Sequence, residues 1–245
     1  MLTRETLEKI EEMCDPFVHE LDGENYVITK DGDVTRIRPE PDYATILNLN
    51  SLDALIQMAR TEALELYKPP IYIKAGRYDA VTCFLQPDKE LLYHRQILYT
   101  VEATDVSGWE ESDDLPFEKA LIAIRTCFQQ SSDTEYLLRL LSEITNKAKV
   151  TYADNGVATS ILTQKGVALQ SAETIRPIVS LRPYRTFQEI DQPASEFHIR
   201  ISERGIRFIE ADGGMWKLTA RRSIVDYIKE HLDDAVGEGR VVVML

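Results

Sequence analysis

In the segment LRPYRTFQEIDQP (181–193), Arg182 and Arg185 stand either side of Pro183-Tyr184, and Glu189 and Asp191 follow them. A guanidinium fork matches two oxygens of a phosphate or carboxylate, and a tyrosine ring beside it offers a face for a base. These residue types fit an anion-binding loop with Arg182, Tyr184 and Arg185 as its contacts. They equally fit a structural segment in which both arginines pair with Glu189, Asp191 or acidic residues elsewhere. In EADGGMWKL (210–218), Trp216 and Lys217 come just after a glycine turn. A core or interface anchor is the commoner use of such a tryptophan, and a ligand platform the rarer one. Arg221 and Arg222 then stand at the expected start of the last helix, where backbone N–H groups favour an anion. A different chemistry would use Glu189, Asp191, Glu210 and Asp212 to hold magnesium beside a phosphate.

Motifs with a built-in mechanism are missing. The four histidines, His19, His94, His198 and His231, have no HxxxH or HxH spacing, and no Cys-x-x-Cys pair accompanies them, so no metal or other cofactor is expected. There is no GxSxG elbow, P-loop or GxGxxG fingerprint. Gly213-Gly214 reads as a turn between strands. The acidic run EESDD (110–114) lacks the alternating oxygens and central glycine of a calcium loop and reads as a solvated loop with a helix cap. No catalytic residues are assigned, and the balance leans away from an enzyme.

The elements that must position these residues alternate between strand and helix. Thr3 can cap a first helix, Asp15-Pro16 ends it, and ENYVITKDGDVTRIR forms a hairpin around Asp31-Gly32. Pro39 and Pro41 mark a linker, which sets off residues 1–42 as an N-terminal arm from an α+β body at 43–245. Ser51 caps a helix whose Leu52, Leu55, Ile56, Ala59, Ala63 and Leu66 form one apolar stripe. IYIKA, DAVTCFL and RQILYTVEA alternate as strands. Asp113 or Asp114 caps PFEKALIAIRTCFQ, and DTEYLLRLLSEI, beginning at Asp133, completes a helical hairpin. AKVTYA, VATSILTQKGVAL, PIVSLRPY, SEFHIRIS, GIRFIEA and the short MWKLT read as strands. ARRSIVDYIKEHLDDA is an amphipathic helix, and RVVVML is a terminal strand apolar enough for a sheet interior. Successive hairpins with helices set to one side define an α+β fold with a mainly antiparallel sheet.

Composition narrows the partners. At 245 residues, 44% hydrophobic and 28% charged, the chain has an ordinary globular balance. No apolar run is fit to span a bilayer or serve as a signal peptide, and three scattered cysteines suggest no disulfide framework. A reducing, cytosolic setting is expected. The net charge of −13 argues against general nucleic-acid binding. Residues 1–42 carry 12 acidic against 5 basic side chains, whereas 176–222 carry 9 basic against 6 acidic. The arginine segment thus lies in the one basic stretch of an acidic chain.

TCFQQSSDTEYLLRLLSEI (126–144), LRPYRTFQEIDQPASEFHIRI (181–201) and EADGGMWKLTARRSIVDYIKEHL (210–232) resemble a family of phage and prophage proteins. The shared features are the helical hairpin, a Pro-Tyr-Arg-Thr-Phe-x-Glu-x-x-Gln-Pro segment and a Phe-Glu-Ala-Asp-Gly-Gly-x-Trp-Lys-Leu turn, where this chain has Ile209 for the phenylalanine. The likeness is best over about 117–245. It implies a phage-encoded protein in the cytoplasm of an infected bacterium and supplies no reaction. The expectation is a non-enzymatic accessory protein that acts by binding, in counter-defence, by sequestering an anionic nucleotide signal or blocking a host defence protein. Self-association through the arm and sheet edges is expected. The candidate ligand contacts are Arg182, Tyr184, Arg185, Trp216, Lys217, Arg221 and Arg222. The alternatives are a structural or DNA-metabolism role and a metal-dependent nucleotide hydrolase.

Overall fold

The computed structural model describes residues 4–5, 17–21, 24–28, 33–37, 45–67, 70–87, 95–106, 109, 114–145, 149–154, 159–165 and 168–245. The chain divides into Met1–Ala44 and Thr45–Leu245. In the first unit β1 (Phe17–Leu21), β2 (Glu24–Ile28) and β3 (Val34–Ile37) form an antiparallel meander. The expected hairpin supplies β2 and β3, and β1 is an addition. Apart from residues 4–5, the expected first helix lies outside the described residues, as do Pro39 and Pro41.

The second unit is α+β, and two of its sheets face helices. The larger sheet has the order β14-β5-β6-β7-β4. Its strands are β4 (Leu47–Leu49), β5 (Ile71–Arg77), β6 (Ala80–Leu85), β7 (Ile97–Glu102) and β14 (Val241–Met244). The central strands pair antiparallel, while β4 and β14 join the two edges in parallel. Alternation decides which face is covered. Ile71, Ile73 and Ala75 are buried and Tyr72 and Lys74 are not, as a period of two requires. The inward set packs on α1 (Leu52–Met58) and α4 (Met215–His231), through Leu52, Leu55, Ile224 and Ile228. The smaller sheet, β11 (Ile178–Leu181), β12 (Ser195–Ser202) and β13 (Gly205–Glu210), packs on the helical hairpin. That hairpin is α2 (Phe117–Thr126) and α3 (Ser132–Thr145), and the second core includes Ile124, Phe128, Leu141, Phe197 and Phe208. A third meander, β8 (Lys149–Asp154), β9 (Thr159–Lys165) and β10 (Ala168–Thr174), is antiparallel, and the short α5 (Asp233–Gly237) leads into β14.

Five local expectations are corrected. Met215–Thr219 is the first part of α4 and not a strand, so Gly213-Gly214 is a turn that opens a helix. Both glycines have positive φ (63° and 78°), and the Asp212 carboxylate accepts from Gly214 N (2.9 Å) and Trp216 N (3.2 Å), capping the new helix. Val241–Met244 of the apolar run RVVVML is an edge strand among the described residues rather than an interior one. The hairpin helices start differently as well. Asp133 reaches across to Ser180 N (2.8 Å), and Ser131 and Thr134 cap α3 reciprocally. Asp114 pairs with Arg207 (3.1 Å), and α2 begins at Phe117, after Pro116 in the N-cap position, without a side-chain cap. Asp113 lies outside the described residues.

Leu66 is the fifth correction, being 70% exposed. α1 continues through a π-helical turn at Ala59–Ala63 into a last turn, Leu64–Leu66. The wider turn rotates every later position backward, so the stripe ends at Ala63, and Leu64 and Tyr67 pack on the core instead.

LRPYRTFQEIDQP is the bridge between the two cores. Leu181 belongs to the core under the hairpin, whereas Phe187 and Ile190 belong to the core of the larger sheet.

Candidate functional site

The bridge is held by a buried carboxamide. Gln192 is 4% exposed; its Oε1 accepts from Arg185 N (3.1 Å) and Thr186 N (3.3 Å), and its Nε2 donates to Phe187 O (3.0 Å). Glu189 Oε1 accepts from Leu52 N (2.6 Å) and so caps α1 together with Ser51. These bonds fix where the arginines go, and they send them apart.

Arg185 turns into a recess of about 190 Å³ walled by Tyr78, Trp109, Arg185, Phe197, Glu210, Trp216 and Lys217. Its Nη1 donates to Glu210 Oε1 (2.5 Å) and its Nη2 to Ser195 Oγ, while Ser195 donates on to Asp212 Oδ2 (2.9 Å). The guanidinium carbon lies 3.5 Å from the Trp216 ring centroid, and the Tyr78 ring meets Trp216 edge-on at 4.6 Å. Such stacking is strongest when the cation is desolvated, and the Arg185 side chain is 10% exposed. Burial lowers the basicity of Arg185, and Glu210 and Asp212 oppose that shift. Lys217 is exposed, with its Nζ 5.6 Å from the Trp216 ring and 5.9 Å from the Tyr78 ring. Two N–H donors of residues that line the recess, Arg185 Nε and Trp216 Nε1, are buried with no acceptor among the described residues. Buried donors of this kind are uncommon and ask for an explanation.

Tyr184 faces another space. It lines a cleft of about 680 Å³ with Asp105, Gln129, Gln188, Glu189 and Asp191 among its neighbours, and among the described residues no lysine or arginine lines that cleft. Arg182 lines neither space; its backbone carbonyl accepts from Gln129 N (2.8 Å) where the bridge runs beside the hairpin link. Arg221 donates through Nε to Ala75 O (2.8 Å), tying α4 to β5. Arg222 lies beside β14, lining a groove with Asp226 and Lys229. Neither arginine is at the helix start, because α4 begins at Met215, and the N–H groups there are already met by Asp212. Of the seven candidate contacts, the structure brings together Arg185, Trp216 and Lys217.

Tyr78 and Trp109 complete the recess and were not among the candidates. Tyr78 sits in the turn between β5 and β6, and Trp109 lies between β7 and α2, leaning on Phe128 (4.7 Å) and Phe208 (5.5 Å). No spacing links them to Arg185; only the meeting of the two cores does. Among the described residues, no group of three His, Cys, Asp or Glu side chains is placed to hold a metal ion, and no helix is long and apolar enough to cross a membrane. No protein-family model, curated protein or solved structure matches this chain.

Proposed function

We propose that this chain is a phage-encoded accessory protein that acts by binding in the host cytoplasm, with a small anionic ligand as its target. Its counter-defence role would be the removal of a nucleotide-like signal. The observation that carries this reading is the pair of buried donors, Arg185 Nε and Trp216 Nε1, which have no acceptor among the described residues and belong to two residues that line one recess with exposed Lys217. A space of about 190 Å³ suits a phosphoryl or carboxylate group rather than a whole nucleotide. The remainder of the ligand would lie outside, against Lys217 and the edges of Tyr78 and Trp109. Turnover is the weaker reading, because three of the four proposed metal carboxylates are engaged: Glu189 with Leu52 N, Glu210 with Arg185, and Asp212 with its cap and Ser195.

The chain has two tryptophans, and both line the recess. Tryptophan fluorescence of the full chain, titrated with inorganic phosphate, nucleoside phosphates and cyclic dinucleotides, therefore reads the site directly. A saturable change is expected with at least one of these, weakened at least tenfold in Lys217→Ala. A flat response across the panel, or binding indifferent to Lys217→Ala, would overturn the proposal.

A further inference from the structure

We propose that β14 is the interface strand of a twofold homodimer, in which two copies join their five-stranded sheets edge to edge. On one side Val241–Met244 pairs in parallel with β5; on the other it has no strand partner among the described residues. Sheet edges are normally guarded by a lysine, a proline, a bulge or extreme shortness. The opposite edge follows that practice, being three residues long with Asn48 at its centre. β14 reads VVVM, an unbroken apolar run of the kind found in sheet interiors, and Val242 and Leu245 are 36% and 43% exposed. An interior-type strand at an edge is explained if a second strand completes the sheet around it.

The helix beside that edge indicates which strand. A groove of about 370 Å³ runs along β14, lined by Arg222, Asp226 and Lys229 of α4 and by Val243, Met244 and Leu245. The three charged side chains share one stripe of the helix in the order plus, minus, plus. A stripe of one sign would call for a partner of opposite charge, whereas this mixed stripe complements its own reversed copy when the two are offset by about one helical turn. A twofold axis perpendicular to the sheet pairs β14 antiparallel with its copy and sets the two α4 helices antiparallel on the same face. Asp226 then faces Arg222 or Lys229 of the partner subunit, and the reverse contact forms by symmetry. The joined sheet has ten strands, within the range that open sheets adopt.

Sedimentation velocity of the full chain at tens of micromolar tests this. The expected species has twice the 28.0 kDa chain mass. Val242→Lys, which places a guard on the edge, is expected to give monomer with unchanged circular dichroism. Asp226 is exposed, so Asp226→Lys should leave the fold intact while weakening the dimer at least tenfold. Adding Arg222→Asp and Lys229→Asp to that variant should restore association. A wild-type chain that sediments at 28.0 kDa throughout overturns the proposal, as does an oligomer indifferent to both Val242→Lys and Asp226→Lys.

Discussion

Arg185 holds together more of its surroundings than any other candidate residue does. It bonds Glu210 and Ser195 and stacks on Trp216, so its three partners come from β13, β12 and α4. Arg185→Met should leave Glu210 facing an apolar chain. We expect a loss of about 2–3 kcal/mol in urea unfolding, below the figure for a fully buried pair because Glu210 keeps 25% side-chain exposure. Arg185→Lys retains the charge but neither the fork nor the planar stack, and should recover less than half of that loss. Several protons are also held in place. Burial pushes the Cys83 thiol up to about 12, and the bond to Asp53 (2.6 Å) is the main reason the Tyr227 phenol is held up to about 12. Tyr99 is raised by burial and by Glu62. All three are acids that stay protonated in the folded chain above the pH at which the unfolded chain ionises, near 8.5 for cysteine and 10 for tyrosine. Their stabilisation is therefore complete below those values and is lost as pH rises toward 12. Thermal melting should show a flat Tm from pH 7 to 8 and a fall from about pH 9, shallower in Tyr227→Phe. A Tm unchanged to pH 11 would contradict this assignment.

The elements differ in how plainly the sequence announces them. The helical hairpin is legible because Leu137, Leu140, Leu141 and Ile144 recur at helical spacing beside a short polar link, and the structure buries all four. The β12–β13 hairpin is legible from Arg204-Gly205. The strand expected at Met215–Thr219 is instead a helix start, because five residues cannot distinguish the two; the deciding bonds come from Asp212, whose role depends on two glycines with positive φ. Gly205 is under a stricter constraint. Its φ is +142°, and a Cβ there would lie 1.9 Å from the Leu115 carbonyl oxygen. Leu115 and Ile206 exchange backbone hydrogen bonds of 2.8 and 2.9 Å at that contact, linking the approach to α2 with the small sheet. Gly205→Ala should therefore cost about 3 kcal/mol, measured as a lowered urea midpoint. A neutral result would mean that the contact relaxes freely.

At the scale of the whole molecule, the bridge at 181–193 sets how the second unit unfolds. With Leu181 in one core and Phe187 and Ile190 in the other, neither core can open without pulling on the segment stapled by Gln192. Leu55→Ala in the larger core and Leu141→Ala under the hairpin should each destabilise by about 2–5 kcal/mol. Both should retain one cooperative transition, coincident by circular dichroism and tryptophan fluorescence. Separate transitions would mean that the cores are independent. The same bridge explains why so little of the recess was legible. Arg185, Trp216 and Lys217 could be singled out by residue type, but Tyr78 and Trp109 reach them only through the junction of two cores, which no local pattern encodes.

The π-helical turn at Ala59–Ala63 also bears on chain length. A helix that accommodates a wide turn carries one residue more than a straight α-helix of the same reach. Loss of a single codon there, for example that of exposed Thr61, would let the helix relax to ordinary pitch. A further inserted codon would have no such slack to absorb it. α1 is thus a place where the gene can shorten by one codon more safely than it can lengthen.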